Sequence, residues 1–184
     1  EVAKKFFAHH STCDILVNNA VIVKRGLLLD FDPKDWDQML NVNLRAVFVL
    51  SKCVVPKMIE QGSGKIINLS SNATFYGTPG SGPYAVSKAG INQLTKTMAI
   101  EWGRYNIQTN AVCLGLTNTE LARTIWDNPQ NKEMKNKFIA KIPLGRFAEI
   151  EEITPTILFL ASPASNYING TMITIDAGAK YNPA

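Results

Sequence analysis

Short β-rich runs alternate along this chain with helix-period segments of a dozen residues or more, and no other feature restricts the fold as tightly. Antiparallel strands can follow one another through a two-residue turn, whereas parallel strands need a long crossover, usually a helix. Asp14-Ile-Leu-Val17 reads as a first strand, and the residues before it as the end of a helix. Asp32-Pro33 supplies an N-cap and a first-turn proline. Trp36, Leu40, Val47, Val54 and Met58 follow at spacings near multiples of 3.6, which predicts a long helix ended by Gln61-Gly62-Ser63-Gly64. Lys65-Ile-Ile-Asn-Leu69 is a second strand, Pro83 opens a second long helix reaching Gly103, and Asn106 to Val112 is a third strand. The polar stretch from Asn118 to Lys141 is helical or irregular, Glu151 to Ala161 is helical, and Thr171-Met-Ile-Thr-Ile175 is the last strand. The expectation is an α/β domain built on a parallel sheet with right-handed crossovers.

Composition narrows the function classes. With 46% apolar and 18% charged residues over 184 positions, the chain carries one domain-sized core and no low-complexity segment. Its net charge of +4 is scattered, the longest basic runs being the pairs Lys4-Lys5 and Lys24-Arg25. A nucleic-acid binder concentrates charge in a stripe or patch, so nucleic acid is not an expected partner. No apolar run reaches the roughly 18 residues of a membrane helix, so no membrane is expected either. Cys13, Cys53 and Cys113 lie far apart, with neither a zinc spacing nor a disulfide pattern. That argues against a metal and for a reducing, cytoplasmic compartment.

In open α/β sheets, ligands bind beyond the carboxyl ends of the strands. The segments just after the first three strands are Asn18-Asn19-Ala20, Ser70-Ser71-Asn72 and Cys113-Leu114-Gly115, small and polar enough to share a crevice. Tyr84 and Lys88 stand at i and i+4 near the start of the second long helix, on one face. Alone, that pair is a weak signal, equally a half-buried Tyr beside a surface Lys. Two residues strengthen it. Ser71 ends a strand whose following loop can return Tyr84 toward it, and Asn43 falls on the apolar stripe of the first long helix. A buried amide must find partners, so Asn43 is either a satisfied core or helix-kink residue or a functional group.

The chemistry that suits these groups is proton transfer coupled to hydride transfer. A Tyr that ordinarily titrates near 10 must be brought toward neutrality, at about 1.4 kcal/mol per unit. The Lys88 ammonium would supply that field. Ser71 would hold the substrate oxygen, and Asn43 could anchor a water linking Lys88 to solvent. The cluster Gly77-Thr-Pro-Gly80-Ser-Gly82 is no phosphate-binding fingerprint, because its order is G-x-x-G-x-G; it reads as a flexible active-site loop.

Taken together, these residues resemble the short-chain dehydrogenase/reductase family over nearly all of the chain. Asn18-Asn19-Ala20 is similar to the family's NNAG turn, which lines the cofactor cleft, and Asn41-Val-Asn43-Leu44 to its helix motif. Ser71 stands 13 residues before Tyr84, the family's usual spacing, and Tyr84-Ala-Val-Ser-Lys88-Ala-Gly90 resembles the YxASKAG signature. Asn110 to Gly115, continuing through Thr119, resembles the N-x-V-x-P-G-x-x-x-T segment that contacts nicotinamide. Gly145-Arg146, Phe159-Leu-Ala-Ser162 and Ile175-Asp176-Ala-Gly178 are similar to C-terminal landmarks. The resemblance implies a Rossmann-like doubly wound parallel sheet, NAD or NADP as cofactor, a small-molecule substrate, and interconversion of a secondary alcohol and a ketone. It implies Asn43, Ser71, Tyr84 and Lys88 as catalytic residues, and Asn18, Ala20, Tyr84, Lys88, Gly115, Thr117 and Thr119 around the cofactor. A homodimer or homotetramer through the two long helices is also implied.

Some positions depart from the pattern. Val21 and Ala177 stand where the family has glycine, and Leu114 where it has proline. Val21 is expected to narrow the adenosine end, Leu114 to loosen the turn facing the nicotinamide, and Ala177 to have little effect. No glycine-rich T-G-x-x-x-G-x-G turn precedes Asp14. Residues 1–184 are therefore expected to form a single incomplete domain, the C-terminal part of the fold with its first βαβ strands missing. On the family's usual domain size, about 70 to 90 further residues would lie upstream. Segment 118–141 resembles the family's substrate lid. Ala99 to Tyr105 and Ile142 to Arg146 are most similar to sugar-acid (gluconate-type) dehydrogenases, with 3-oxoacyl-carrier and tropinone-type ketone reductases as alternatives. A truncated, non-catalytic chain acting only through oligomer contacts is the reading from another class. The motifs select neither NAD over NADP nor a natural substrate.

Overall fold

In the computed structural model, which describes residues 1–182, every strand read from the sequence forms within two residues of its expected bounds. Helix α1 (Val2–Phe7) leads into β1 (Ile15–Asn18). The first long helix is a rod of three parts: α2 (Pro33–Leu40), a π-helical turn (Asn41–Arg45) and α3 (Ala46–Gln61). The Asp32 side chain caps its start by accepting from the Lys34 N–H, and Gly62 at φ 71 ends it in a left-handed turn. Next come β2 (Gly64–Ser71), α4 (Gly82–Trp102) and β3 (Ile107–Leu114). The polar stretch then forms α5 (Glu120–Trp126) and α6 (Lys132–Ala140), before α7 (Ile150–Ala161) and β4 (Met172–Ile175). The four strands are all parallel, in the order β1-β2-β3-β4.

Alternation along the strands sorts the two faces of the sheet. On one face Ile66 and Ile107 pack with Val54, Val55 and Met58 of α3, joined by Leu16, Trp102 and Tyr105. On the other, Ile67, Leu69 and Val112 pack with Leu160 of α7, joined by Leu114, Ile157, Ile173 and Ile175. β2 is covered on both faces, and all eight of its residues are buried. β1 lies at one edge of the sheet: Leu16 joins the first cluster, but Ile15 and Val17 on the opposite face stay 46% and 42% exposed.

A polar seam runs through the α3/α4 side. Asn18 Nδ2 donates to Asn68 Oδ1 at 2.8 Å and to Ser51 Oγ at 3.4 Å, and Asn68 Nδ2 donates to Thr95 Oγ1 at 2.9 Å. These bonds register β1, β2, α3 and α4 against one another, where an unpaired amide would cost about 1–3 kcal/mol. One expectation needs correction at the sheet's other end. Ala177 adopts φ 53, a left-handed conformation that costs a Cβ-bearing residue about 1–2 kcal/mol, so alanine in place of glycine is not neutral there.

Candidate active site

The carboxyl ends of all four strands open into one cleft of about 730 Å³. Asn19 and Val21 reach it after β1, Ser71 and Asn72 after β2, Gly115 and Thr117 after β3, and Lys180 after β4. The loop Tyr76–Ser81 closes one side, and Leu121, Ile125, Trp126, Met134 and Phe138 of the 118–141 segment form the wall opposite.

Ser71 is the last residue of β2. Its hydroxyl accepts from the Ala73 N–H at 3.1 Å, and its carbonyl accepts from the Thr74 hydroxyl at 2.9 Å, so a tight turn fixes its place. Tyr84 sits in the first turn of α4, after Pro83, and lines the cleft with Ser71, whose side chain favours the phenolate. Lys88 lies one turn further on, 4% exposed, with Nζ 5.8 Å from the centroid of the Tyr84 ring. That ammonium donates to the Leu69 carbonyl at 2.7 Å. Burial pulls Lys88 down to about 8.

Tyr84 departs from the expectation. Burial raises its pKa, because an enclosed phenolate loses hydration. The Ser71 hydrogen bond and the guanidinium of Arg25 oppose that rise. Arg25, which sequence reasoning passed over, is thus a further cation acting on the phenol, beside the Lys88 ammonium that lies 5.8 Å from the ring centroid and bonds β2.

Asn43 lies at the centre of the π-helical turn and is fully buried. Its Nδ2 donates to the Ile22 carbonyl at 2.9 Å and to Ser87 Oγ at 3.3 Å, and its Oδ1 accepts from the Ile22 N–H at 2.8 Å. Ser87 Oγ in turn donates to the Tyr84 carbonyl at 2.7 Å. The amide is held by these partners and does not line the cleft; it ties the segment after β1 to the turn carrying Tyr84.

The remaining expected positions divide. Gly115, Thr117 and Thr119 line the cleft together with Ser71, Tyr84 and Lys88, whereas Asn18 and Ala20 do not. Period-two alternation turns Asn18 inward with Leu16, onto the polar seam, where its Oδ1 has no partner among the described residues. Asn19 and Val21 face the cleft instead. Gly115 is required sterically: a Cβ there would come within 2.8 Å of the Asp176 backbone. Thr119 caps α5, its hydroxyl accepting from the Ala122 N–H at 3.1 Å, and Thr117 Oγ1 donates to the Gly115 carbonyl at 3.2 Å. Arg25 and Lys180 are cleft residues that the sequence did not single out. The basic pair Lys24-Arg25, a few residues beyond the Asn18-Asn19-Ala20 turn, was the available signal for Arg25.

Residues 1–180 match the family model described as enoyl-(acyl carrier protein) reductase. The 3-oxoacyl-(acyl-carrier-protein) reductase FabG of Thermotoga maritima is 42% identical over 178 residues, covering 97% of this chain and 70% of that protein. The gluconate 5-dehydrogenase of Gluconobacter oxydans is 36% identical over 165 residues, covering 90% of this chain and 63% of that protein. Among solved structures, a gluconate 5-dehydrogenase from Burkholderia cenocepacia J2315 in complex with NADP and tartrate superposes with a TM-score of 0.90 at 37% identity, covering 97% of this chain and 69% of that one.

Proposed function

The chain belongs to the short-chain dehydrogenase/reductase family of oxidoreductases, and on that premise we propose that it interconverts a secondary alcohol and a ketone with NAD or NADP, Tyr84 acting as general acid and base. The observation that carries the reading is the convergence of Ser71, Tyr84 and Lys88 in one cleft, with the Lys88 ammonium 5.8 Å from the Tyr84 ring centroid. The residues present suit a nicotinamide cofactor. Lys88 has three N–H donors and spends one on Leu69, leaving two for ribose hydroxyls. Gly115 and Thr117 offer a turn without bulk beside it. The relative solved with NADP supports the same class.

When bound, the nicotinamide supplies or accepts the hydride. The protein's part is the proton. Ser71 Oγ donates to the substrate oxygen and holds it beside the Tyr84 hydroxyl. Because burial keeps Tyr84 protonated, the phenol is ready to donate as a carbonyl oxygen gains charge. In the oxidative direction the phenolate must form, and Arg25 and Ser71 are the groups that favour it. The 118–141 segment acts as the substrate lid. Exposed Phe48 and Val49 on α3 and Val86 and Ile100 on α4 support assembly into a homo-oligomer through these helices.

The gluconate-type relatives favour a hydroxy-acid substrate, whereas the 42% identity to the Thermotoga reductase favours a 3-oxoacyl substrate as a second reading. The test is consumption of NADH and NADPH by the complete protein against a panel of ketones. Saturable turnover with one cofactor is the expected result; no cofactor binding by Trp fluorescence would refute the reading.

A further inference from the structure

We propose that Arg25 makes this cleft an anion site, so that the substrate carries a carboxylate seated on the Arg25 guanidinium near its reacting carbonyl. The inference deepens the oxidoreductase reading and rests on it. Arg25 lines the cleft from the segment after β1, its guanidinium carbon 5.3 Å from the Trp126 ring centroid and 5.9 Å from that of Phe138. A guanidinium set over aromatic rings has no oxygen acceptor in them, so contact with the rings leaves its N–H groups available to an anion. Among the described residues none of those donors has an oxygen partner; Arg104, Arg123 and Arg146 each have one, and Arg45, which likewise has none, does not line the cleft. The neighbouring carboxylate is already taken: Asp35 pairs with Lys24, the residue before Arg25.

The surroundings share that sign. The cleft is also lined by Lys88, Lys137, Lys141 and Lys180, and by no Asp or Glu among the described residues. Carboxylates beside the lining residues are spent on other donors: Glu133 pairs with Lys137 at 2.7 Å, while Asp176 Oδ1 accepts from the Gly178 N–H at 3.1 Å and Oδ2 from the Lys180 N–H at 2.9 Å and Asn72 Nδ2 at 3.3 Å. An Arg held on aromatic faces, with its edge unpaired and cations around it, is built for a planar two-oxygen acceptor. Arg25 and Tyr84 line the same cleft, so one small molecule can set its anion on the first and its reacting oxygen at the second. Arg25 is then a specificity-determining residue, favouring compact keto or hydroxy acids over neutral thioesters.

The experiment compares acetoacetate with its methyl ester as substrates of the complete protein, supplied with NADH or NADPH. Wild type should prefer the acid in kcat/KM, and Arg25→Gln should reduce the acid-to-ester ratio by about ten- to a hundredfold, the worth of a charged hydrogen bond. Arg25→Lys should recover part of that ratio. A wild-type preference for the ester, or a ratio unchanged in Arg25→Gln, overturns the proposal. If neither these compounds nor neutral ketones are turned over, the oxidoreductase reading fails, and the anion site is judged separately. Acetoacetate should then quench Trp126 fluorescence saturably in wild type and not in Arg25→Gln, with Trp126→Phe removing the signal. Quenching of equal strength in wild type and Arg25→Gln, or none in wild type, refutes the site.

Discussion

Tyr84 and Lys88 project from α4, a helix with seven buried residues, whereas the facing wall is built from α5 and α6, whose only buried residue is Trp126. On the α4 side, each group meets its neighbours through the core: Ser71 through the end of a fully buried strand, Lys88 through the Leu69 carbonyl, and the Tyr84 turn through Ser87 and Asn43. On the lid side, contacts are ring against ring and ring against Arg25. The difference teaches a division of labour. The proposed proton-transfer groups borrow their precision from packing that the fold needs anyway, while the selecting surface can change without loosening the sheet.

Tyr84→Phe is the most demanding test of that division. It removes one hydroxyl from the well-packed wall, so the fold should persist by circular dichroism while kcat falls by about 10²–10⁴-fold. Turnover at the wild-type rate would break the assignment. Asn43→Leu comes next. It strips the Ile22 N–H and carbonyl of their side-chain partners, so thermal unfolding should show a loss of about 2 kcal/mol together with a fall in kcat. Stability lost without any fall in kcat would reduce Asn43 to a purely structural role.

A smaller effect follows from the Lys88 pKa. The free protein holds its ammonium below about pH 8 and loses it above, because burial depresses the value from 10.5. Cofactor affinity should therefore weaken as pH rises through about 8, by at most about tenfold per unit. Folding stability should move the opposite way. Between about 8 and 10.5 the unfolded chain holds the proton that the folded chain has released, so this group's contribution rises with pH. Trp fluorescence titrations with NADH from pH 6.5 to 9.5 check the first effect, with Lys88→Arg expected to flatten the dependence. Leu121→Ala on the lid should do least to the fold. Leu121 is 45% exposed, so KM should shift severalfold while stability stays within about 0.5 kcal/mol of wild type. A large stability loss there would erase the contrast between the walls.

The strands and long helices were legible because their signals are local: period-two apolar runs, period-3.6 stripes, Asp32-Pro33 at a start and Gly62 at a stop. Ser71, Tyr84, Lys88, Gly115 and Thr117 reach one cleft because all of them sit at strand ends or on the helix that follows β2. What was not legible depends on distances across the fold. Asn18 faces the core because β1 alternates in phase with Leu16, a register that the short run of apolar residues left open. Arg25 acquires its role only when α5 and α6 bring Trp126 and Phe138 against it. The direction of the Tyr84 pKa is a contest between burial and two neighbours, none of which a Y-x-x-x-K spacing can weigh.

The π-helical turn at Asn41–Arg45 gives the rod one residue more than an α-helical path would use. Deleting a single residue there would return the helix to an ordinary one with its two halves nearly in place, yet shift the residues of the turn itself, Asn43 among them. Regularity and position are thus opposed in this element: the extra residue costs the helix some of its own order and in return lets Asn43 reach both Ile22 and Ser87. A search for stabilising variants of this protein that made that deletion would find a more regular helix that no longer ties Ile22 to the turn carrying Tyr84.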